Sequence, residues 1–427
     1  MNVPANSLVS LTDVCSREEL IHALYEAAEL EHCLMCTYLY AAASLKSGEA
    51  EGLTPVQAEA VARWRQEIIH IAVEEMSHLA AVWNITSALG GAPRFGRANF
   101  PLDVGVLPAD IVVKLAPFNC ATLQHFIYLE RPLGSSECEG EGFAAERRFL
   151  RGHSTRRLTP MSMDYEAVGT FYLALSEHLQ SAATAYGEGA LFCGNRKLQL
   201  SQAETNLSGA KPVFCSKTAV QAFHTIIEQG EGSSSHTDGS HFNRFAAIRT
   251  EFEALQAADP NFVPAHPAAT NPVLRRPPRP EGRIWLENEQ AIATVDLANA
   301  CYGLMMRLLA YSYQVPGPSA EKSAAIDLGI GLMRACMPLA ELAARLPAGP
   351  SNPNCNAGMS FTALRDAAAF PMEASSWQAF NERFQQLASA ASALAADGNE
   401  RSVRAAGHLH QLAARALRAH TQGFAPA

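Results

Sequence analysis

The sequence has no surplus of positive charge. It carries 33 Lys and Arg residues against 42 Asp and Glu residues, which gives a formal net charge of -9 at pH 7. A protein that binds nucleic acid or an anionic membrane needs a basic surface to neutralise the phosphates of its partner. We therefore expect neither nucleic acid nor a membrane among the partners of this protein.

Long hydrophobic runs are also missing. No uninterrupted apolar stretch approaches the roughly 20 residues that a membrane-spanning helix requires. The opening stretch, MNVPANSLVSLTDVCS, lacks the charged segment and the following apolar segment of a secretory leader. Together these absences predict a cytoplasmic location.

The cysteines follow no repeating spacing, and several catalytic motifs are missing. The chain has ten cysteines, and only Cys33 and Cys36 form a C-x-x-C pair, inside a helical pattern. Without a second pair we expect buried, reduced thiols rather than a structural zinc site. The motifs G-x-S-x-G, G-x-x-x-x-G-K-[ST] and H-E-x-x-H do not occur, so hydrolase, P-loop and zinc-protease chemistry are not indicated.

The pattern that is present is helical throughout, and it predicts an all-α fold. A first helix is predicted over residues 16–46, where Ser16 and Glu19 have the spacing of a capping box. A second begins at Pro55 and ends before the Gly90-Gly91-x-Pro93 signal. Further helices are predicted at NCATLQHFIYLERP, after Pro160, at SKTAVQAFHTIIEQGEG and from about Ser240.

A proline-rich segment divides the chain. Residues 258–282 contain seven prolines, and such a segment can be neither helix nor central strand. We therefore predict a metal-binding helical bundle over residues 1–257, a linker over 258–282, and a helical region over 283–427 that packs on the bundle. The last two helices are expected to separate near Asp397.

Acidic residues lie on the apolar faces of the first two helices. Glu31 falls in the buried stripe of the first helix, and Glu75 and His78 fall in that of the second. A buried carboxylate without a partner is costly, so these residues predict a cation between the helices. Glu75 and His78 share one helical face because they are three residues apart. Carboxylates with a few imidazoles favour iron or manganese.

The other ligands are less clearly indicated. The third long helix offers Glu177 near its middle, with Glu166 further out. The fourth offers Glu228 and Glu231, but no histidine follows Glu228 at three residues. His241, beyond the next loop, could supply the missing imidazole if that loop folds back.

Several stretches, in this order, carry a resemblance to a known family: LYEAAELEHCLMCTYLYAA, EEMSHLAAVWNITSALGGAPRF, LQHFIYLERP, VGTFYLAL and IIEQGEG with SHFNRF. They resemble the ferritin-like proteins related to iminophenylpyruvate dimer synthase, whose domain also occurs in the chromopyrrolate-type synthases of violacein and rebeccamycin biosynthesis. The resemblance covers about residues 16–255. It implies a ferritin-like four-helix bundle with long loops and additional C-terminal helices.

The resemblance also bears on the metal ligands. It supports Glu31, Glu75 and His78 as metal ligands. It also strengthens the case for three ligands that spacing alone leaves open, namely Glu228, Glu231 and His241. Thr170 stands where many relatives are expected to carry an acid. The third-helix ligand therefore stays open between Glu166 and Glu177, with Glu130 of YLERP as an outside candidate.

The resemblance implies oxidative chemistry on amino-acid-derived substrates. The leading hypothesis is a non-haem oxidoreductase of specialised metabolism that holds two iron ions, or manganese, and uses dioxygen or peroxide. Its substrate would be a small amino-acid-derived molecule, and one specific version is the oxidative coupling of an aromatic imino acid. The alternative is a non-catalytic metal-binding or structural bundle. The sequence leaves the oligomeric state open, a homo-oligomer included.

Overall fold

The computed structural model describes residues 15–102, 107, 111–144, 160, 165–231, 239–279, 282–364 and 370–424. This part of the chain is helical, which confirms the predicted all-α class. Its α-helices are α1 Arg17–Ser44, α2 Pro55–Ala88, α3 Cys120–Leu129, α4 Val168–Tyr186, α5 Glu188–Leu191, α6 Gln202–Thr205, α7 Ser216–Gly230, α8 His241–Ala258, α9 Glu289–Ser312, α10 Ala320–Ala343, α11 Ala374–Leu394 and α12 Glu400–Gln422.

The remaining regular elements are short. Single 3-10 turns span Glu49–Glu51, Arg196–Leu198 and Ala395–Asp397. Strands β1 (Pro272–Val273) and β2 (Ile284–Trp285) form a parallel two-stranded ladder.

Local signals set the ends of the first two helices as predicted. The Ser16 hydroxyl accepts the backbone N–H of Glu19 at 3.2 Å, and the Glu19 carboxylate accepts the N–H of Ser16 at 2.6 Å. Pro55 is the first residue of α2. Gly90, just after α2, has a φ of +87°, a conformation that favours glycine and stops the helix.

The third and fourth helices of the bundle are each in two pieces. Helix α3 packs against α8, and α4 packs against α7. Along α1, Tyr172 of α4 reaches Glu31, and Phe126 of α3 packs against Tyr38 further along the same helix. Helices α3 and α4 therefore follow one another along α1. At the level of Glu31, the helix pair α4 and α7 is replaced by the pair α3 and α8.

Along α2, the helix that packs against it likewise changes from α7 to α8. Gln229, near the end of α7, contacts His78. Phe252 of α8 packs against Trp64, several turns earlier on α2. Both interruptions thus face the stretch of α1 and α2 that carries the acidic residues.

The C-terminal helices complete one continuous hydrophobic core. Helices α9 and α10 pack together, α12 lies against α10 and α11, and α10 contacts α1. Buried residues from both regions, such as Leu34, Trp83, Leu308 and Leu332, belong to the same apolar cluster. The division of the chain into two domains stays a prediction.

The proline-rich segment lies against the bundle. The backbone N–H of His266 donates to the Ser44 carbonyl at 2.8 Å, and that of Lys46 donates to the Pro264 carbonyl at 2.9 Å. The predicted linker is therefore anchored to the end of α1 over part of its length.

Two C-terminal helices are apolar enough to cross a membrane by length and composition alone, which the sequence analysis did not expect. They are α9 and α10, and 61% and 56% of their most apolar windows are buried inside the fold. Packing in the core accounts for this composition. All ten cysteines are free thiols, and Cys33 and Cys36 are buried, as predicted.

A buried lysine connects α10 to the chain before α6. Lys322 is fully buried, and its Nζ donates to the carbonyl oxygens of Lys197, Leu198 and Gln199 at 3.1, 3.1 and 2.7 Å. Backbone carbonyls in the interior need donors, and a single ammonium group here supplies three.

We predict that Lys322→Met lowers the free energy of unfolding by about 3 kcal/mol, because buried acceptors would lose a charged donor. Urea denaturation followed by circular dichroism measures this loss. Lys217→Met, on the exposed side of α7, is the matched control and should change stability little. Equal stability of the two variants would contradict the role assigned to Lys322.

Candidate metal centre

The interrupted bundle brings five predicted or candidate residues into two triads. The first consists of Glu31, Glu75 and His78, and the second of Glu75, Glu130 and His241. In each triad, one ligand atom per residue lies within 4.8 Å of the other two, and every member is buried. Glu75 belongs to both triads.

The first triad joins α1 and α2. Nδ1 of His78 lies 3.0 Å from Oε2 of Glu75 and 3.4 Å from Oε2 of Glu31. Three-residue spacing on α2 places Glu75 and His78 on one face, and Glu31 meets them from the neighbouring helix.

The second triad forms at the helix interruptions. Glu130 directly follows the last residue of α3, and His241 is the first residue of α8. Nδ1 of His241 lies 2.9 Å from Oε1 of Glu75 and 3.6 Å from Oε2 of Glu130. The imidazole and the carboxylate thus come from opposite sides of a break rather than from one helical face.

A tyrosine holds each outer carboxylate. The Tyr172 hydroxyl donates to Oε1 of Glu31, and the Tyr38 hydroxyl donates to Oε1 of Glu130. In both glutamates the second oxygen is left facing the histidine of its own triad. The two halves of the centre therefore repeat the same arrangement around Glu75.

Each histidine has an outer partner that fixes its orientation. Nε2 of His78 lies 2.9 Å from the side-chain oxygen of Gln229, and Nε2 of His241 lies 3.1 Å from a Glu74 carboxylate oxygen. Arg244 in turn donates to Glu74. When Nε2 of each histidine donates a hydrogen bond to its outer partner, Nδ1 is the nitrogen that faces the carboxylates of the triad. Metal-binding histidines in proteins have the same arrangement.

The charges of the centre depend strongly on one another. Burial, followed by the nearby Glu75 carboxylate, raises the pKa of Glu31 to about 8. Burial alone would lower the pKa of His78, but the Glu75 and Glu31 carboxylates raise it to about 10. The pKa of His241 is also raised well above its usual range, because Glu75 outweighs burial.

Glu75 itself is held ionised. Burial would raise its pKa, but His241 and His78 keep it well below the usual range. In the metal-free protein near neutral pH, protons on the two imidazoles therefore balance the charge of Glu75, while Glu31 is held mostly protonated. Bound cations would take over that role and release the protons.

Three buried atoms of the centre support this reading, because each lies within ion-pair distance of an opposite charge but makes no well-aligned hydrogen bond. They are Oε2 of Glu31, Oε1 of Glu75 and Nδ1 of His241. Buried polar atoms normally form hydrogen bonds, and a buried atom without one requires an explanation. Hard oxygen and imidazole nitrogen donors that converge on one space are the set that iron and manganese accept. The residues therefore fit a metal ion at each triad.

The structure does not bring Glu177 and Glu228 to this centre. Both side chains are exposed, and neither belongs to a triad. Glu177 lies further along α4, beyond Tyr172, on a face that turns to solvent. Glu228 directly precedes Gln229, whose side chain faces His78, so the helical turn directs Glu228 outward.

Glu231 lies at the edge of the centre. Its Oε1 accepts the backbone N–H of Gly169 at 2.7 Å, and burial and Glu130 raise its pKa to about 7. A Cβ on Gly169 would approach the Glu231 carboxylate to 2.4 Å, so a larger residue there would displace that carboxylate. The role of Glu231 as a ligand stays a prediction.

The candidate Glu166 and the position of Thr170, where an acid was expected, lie outside the centre. Glu166 is exposed, and its backbone carbonyl accepts a guanidinium hydrogen bond from Arg131 at 2.7 Å. The Thr170 hydroxyl donates to the Ala167 carbonyl at 2.6 Å, as part of the start of α4. In this chain the acid that comes from the third bundle helix is Glu130.

Sequence reasoning missed the outer partners Glu74, Gln229 and Tyr172. Glu74 carried a usable signal, since it precedes Glu75 on a helix and Arg244 follows His241 by three residues. Nothing in the sequence indicates that Gln229 and Tyr172 face the ligands, because both depend on where α4 and α7 pack.

Comparisons with known proteins find two enzymes that are similar to this chain. The 2-imino-3-(indol-3-yl)propanoate dimerase of Chromobacterium violaceum is 29% identical over 374 residues, covering 78% of this chain and 33% of the relative. The dichlorochromopyrrolate synthase of Lentzea aerocolonigenes is 26% identical over 419 residues, covering 89% and 39%. The chain thus spans well under half the length of these relatives.

A solved ferritin-like protein from Caulobacter vibrioides matches with a TM-score of 0.47 and 19% identity, over 76% of this chain and 97% of that one. A family model described as Ferritin-like matches residues 24–250. That range contains most of the bundle and all the residues of both triads, and it confirms the resemblance read from the sequence. The chain belongs to the ferritin-like family.

Proposed function

We propose that this chain is a non-haem oxidoreductase of specialised metabolism with a two-metal centre, holding iron or alternatively manganese. The observation that carries the proposal is the pair of Glu–Glu–His triads that share Glu75. One ion would be held by Glu31, Glu75 and His78, and the other by Glu75, Glu130 and His241. Iron or manganese bound there would supply the redox chemistry with dioxygen or peroxide.

The side chains around the centre prepare it for this chemistry. Tyr172 and Tyr38 each occupy one oxygen of an outer carboxylate, so that the other oxygen is directed inward. Glu74 and Gln229 set the ring orientation of the two histidines. Burial of the ligands excludes bulk water, which strengthens every electrostatic interaction inside the site.

The substrate we propose is an amino-acid-derived aromatic imino acid, coupled oxidatively to a second molecule. The name of one curated relative supports this class, since that protein is a dimerase of 2-imino-3-(indol-3-yl)propanoate. An apolar cavity of about 360 Å³ lies between the outer face of α1 and α2 and helices α9 and α10. Met35, Met76 and Trp83 line it, and such walls suit an aromatic body.

One observation favours the alternative of a metal-binding protein without turnover. The five ligands are at most 5% exposed, and the residues that line the apolar cavity do not include them. A closed centre of this kind would also suit metal storage or a purely structural role. Metal content and turnover must therefore be measured separately.

The first prediction concerns metal content. Protein expressed with iron and manganese supplied should contain about two metal ions per chain, as two-metal sites require. His78→Ala and His241→Ala should each lose about one ion, and Glu75→Ala should lose both because it serves both triads. Elemental mass spectrometry measures these stoichiometries.

The controls for metal content are Glu177→Ala and Glu228→Ala, which exchange exposed acids of the same bundle. Both should keep full metal content. Loss of metal from these controls, or its retention in Glu75→Ala, would show that the centre lies elsewhere.

The second prediction concerns the outer partner of His241. Glu74→Gln should weaken metal binding about 10- to 100-fold while leaving the stoichiometry at saturation unchanged, because it releases the ring orientation. Competition with a fluorescent chelator measures the affinity. Glu67→Gln, which removes the other acid contacting Arg244, should have little effect, and an equal loss in both variants would refute the orienting role.

The third prediction concerns turnover. Iron-loaded protein should convert the imino acid that an L-amino-acid oxidase forms from tryptophan into a coupled dimer, provided dioxygen or peroxide is present. Liquid chromatography with mass spectrometry detects the dimer, and His78→Ala should form none. Full metal loading without any dimer from tryptophan- or phenylalanine-derived imino acids would favour the non-catalytic alternative.

A further inference from the structure

A second cavity, of about 980 Å³, lies in the C-terminal region. Its walls come mainly from the proline-rich segment, α9 and α11, with Phe100 and Thr362 from the loops beside them, and the residues of the metal centre are not among those that line it. Five arginines line it, namely Arg275, Arg276, Arg283, Arg307 and Arg383. Asp296 and Glu382 are the acidic residues among its described lining, so the cavity is positive within a chain of net charge -9.

Among the residues that the structure describes, acidic side chains leave most of these arginines without an ion pair. Within the described residues, Arg275, Arg276, Arg307 and Arg383 form no ion pair. Two of them lie over aromatic rings instead: the guanidinium of Arg276 is 5.0 Å from the ring centre of Trp285, and that of Arg307 is 4.7 Å from the ring centre of Phe370. Such contacts position a guanidinium group without cancelling its charge.

The proline-rich segment presents two of the arginines on a constrained backbone. Arg275 and Arg276 directly precede Pro277 and Pro278, whose rings fix the local φ angles. The ladder between β1 and β2 anchors the residues before them. Positive groups held in place before binding lose less entropy when a ligand arrives.

The cavity also has apolar walls, which limit the class of ligand. Phe100, Leu274, Leu304 and Phe370 line it beside the arginines. Inorganic phosphate would leave these walls uncovered, whereas a neutral aromatic molecule would leave the guanidinium groups without acceptors. A ligand pocket of several hundred cubic ångströms suits a molecule of drug-like size.

We propose that this cavity binds a small organic dianion, an aromatic dicarboxylate, at a site separate from the metal centre. Each carboxylate would accept charge-assisted hydrogen bonds from a pair of arginines, and the aromatic body would lie against the apolar walls. Binding at this site would need neither the metal nor the oxidative function proposed above.

The test uses naphthalene-2,6-dicarboxylate as the probe, with the metal-loaded full chain and isothermal titration calorimetry. We expect binding that weakens as sodium chloride is raised from 0.05 to 0.5 M, because salt screens the guanidinium charges. The monoacid 2-naphthoate should bind at least about tenfold more weakly, since it loses one charged contact. The dimethyl ester should not bind.

Matched variants assign the binding to this cavity. Arg275→Gln and Arg383→Gln should each weaken binding of the probe about tenfold, as expected for one lost charged contact. Arg404→Gln, an exposed arginine that pairs with Glu400 on α12, is the control and should bind the probe like the natural chain. Without the probe, the two cavity variants should melt at an equal or higher temperature, because removing one of several like charges relieves repulsion.

Three results would overturn the proposal. The first is equal binding of the dimethyl ester, which would show that the charges are not used. The second is unchanged affinity in both cavity variants, which would place the probe elsewhere. The third is full displacement of the probe by inorganic phosphate at equal concentration, which would show that the aromatic body contributes nothing.

Discussion

The structure depends on one buried carboxylate that lies between two imidazoles. Glu75 is 1% exposed and contacts His78 on one side and His241 on the other. An ionised carboxylate in this position costs several kcal/mol unless opposite charge compensates it. Protons on the histidines provide that charge in the metal-free protein, and metal ions would provide it in the loaded one. The packing of α2, α7 and α8 keeps these groups together.

The interruptions in the third and fourth bundle helices follow from the same requirement. A continuous helix can offer ligands only every three or four residues along one face. By ending α3 at Glu130 and starting α8 at His241, the chain brings an acid and an imidazole to Glu75 from two helix ends. The same breaks let Gly169 approach Glu231. The C-terminal helices then cover the opposite face of α1 and α2 and enclose the apolar cavity.

Periodicity and helix-end signals were sufficient to predict the helices and the first triad, because Glu31, Glu75 and His78 lie within long regular stripes. They were insufficient for the second triad, since Glu130 and His241 lie at helix ends and their meeting depends on how two pairs of helices dock. Glu177 and Glu228 do not reach the triads for a related reason: both lie on helices of the bundle, but on faces that tertiary packing turns to solvent. Exposure of such residues cannot be read from spacing alone.

The most direct test of the shared carboxylate is X-ray diffraction from crystals of the iron-loaded chain, with data collected on both sides of the iron absorption edge. The proposed centre predicts two anomalous peaks, one on each side of Glu75. One peak should lie next to Nδ1 of His78 and the other next to Nδ1 of His241. Peaks at other residues, or no peak in fully ordered crystals, would contradict it.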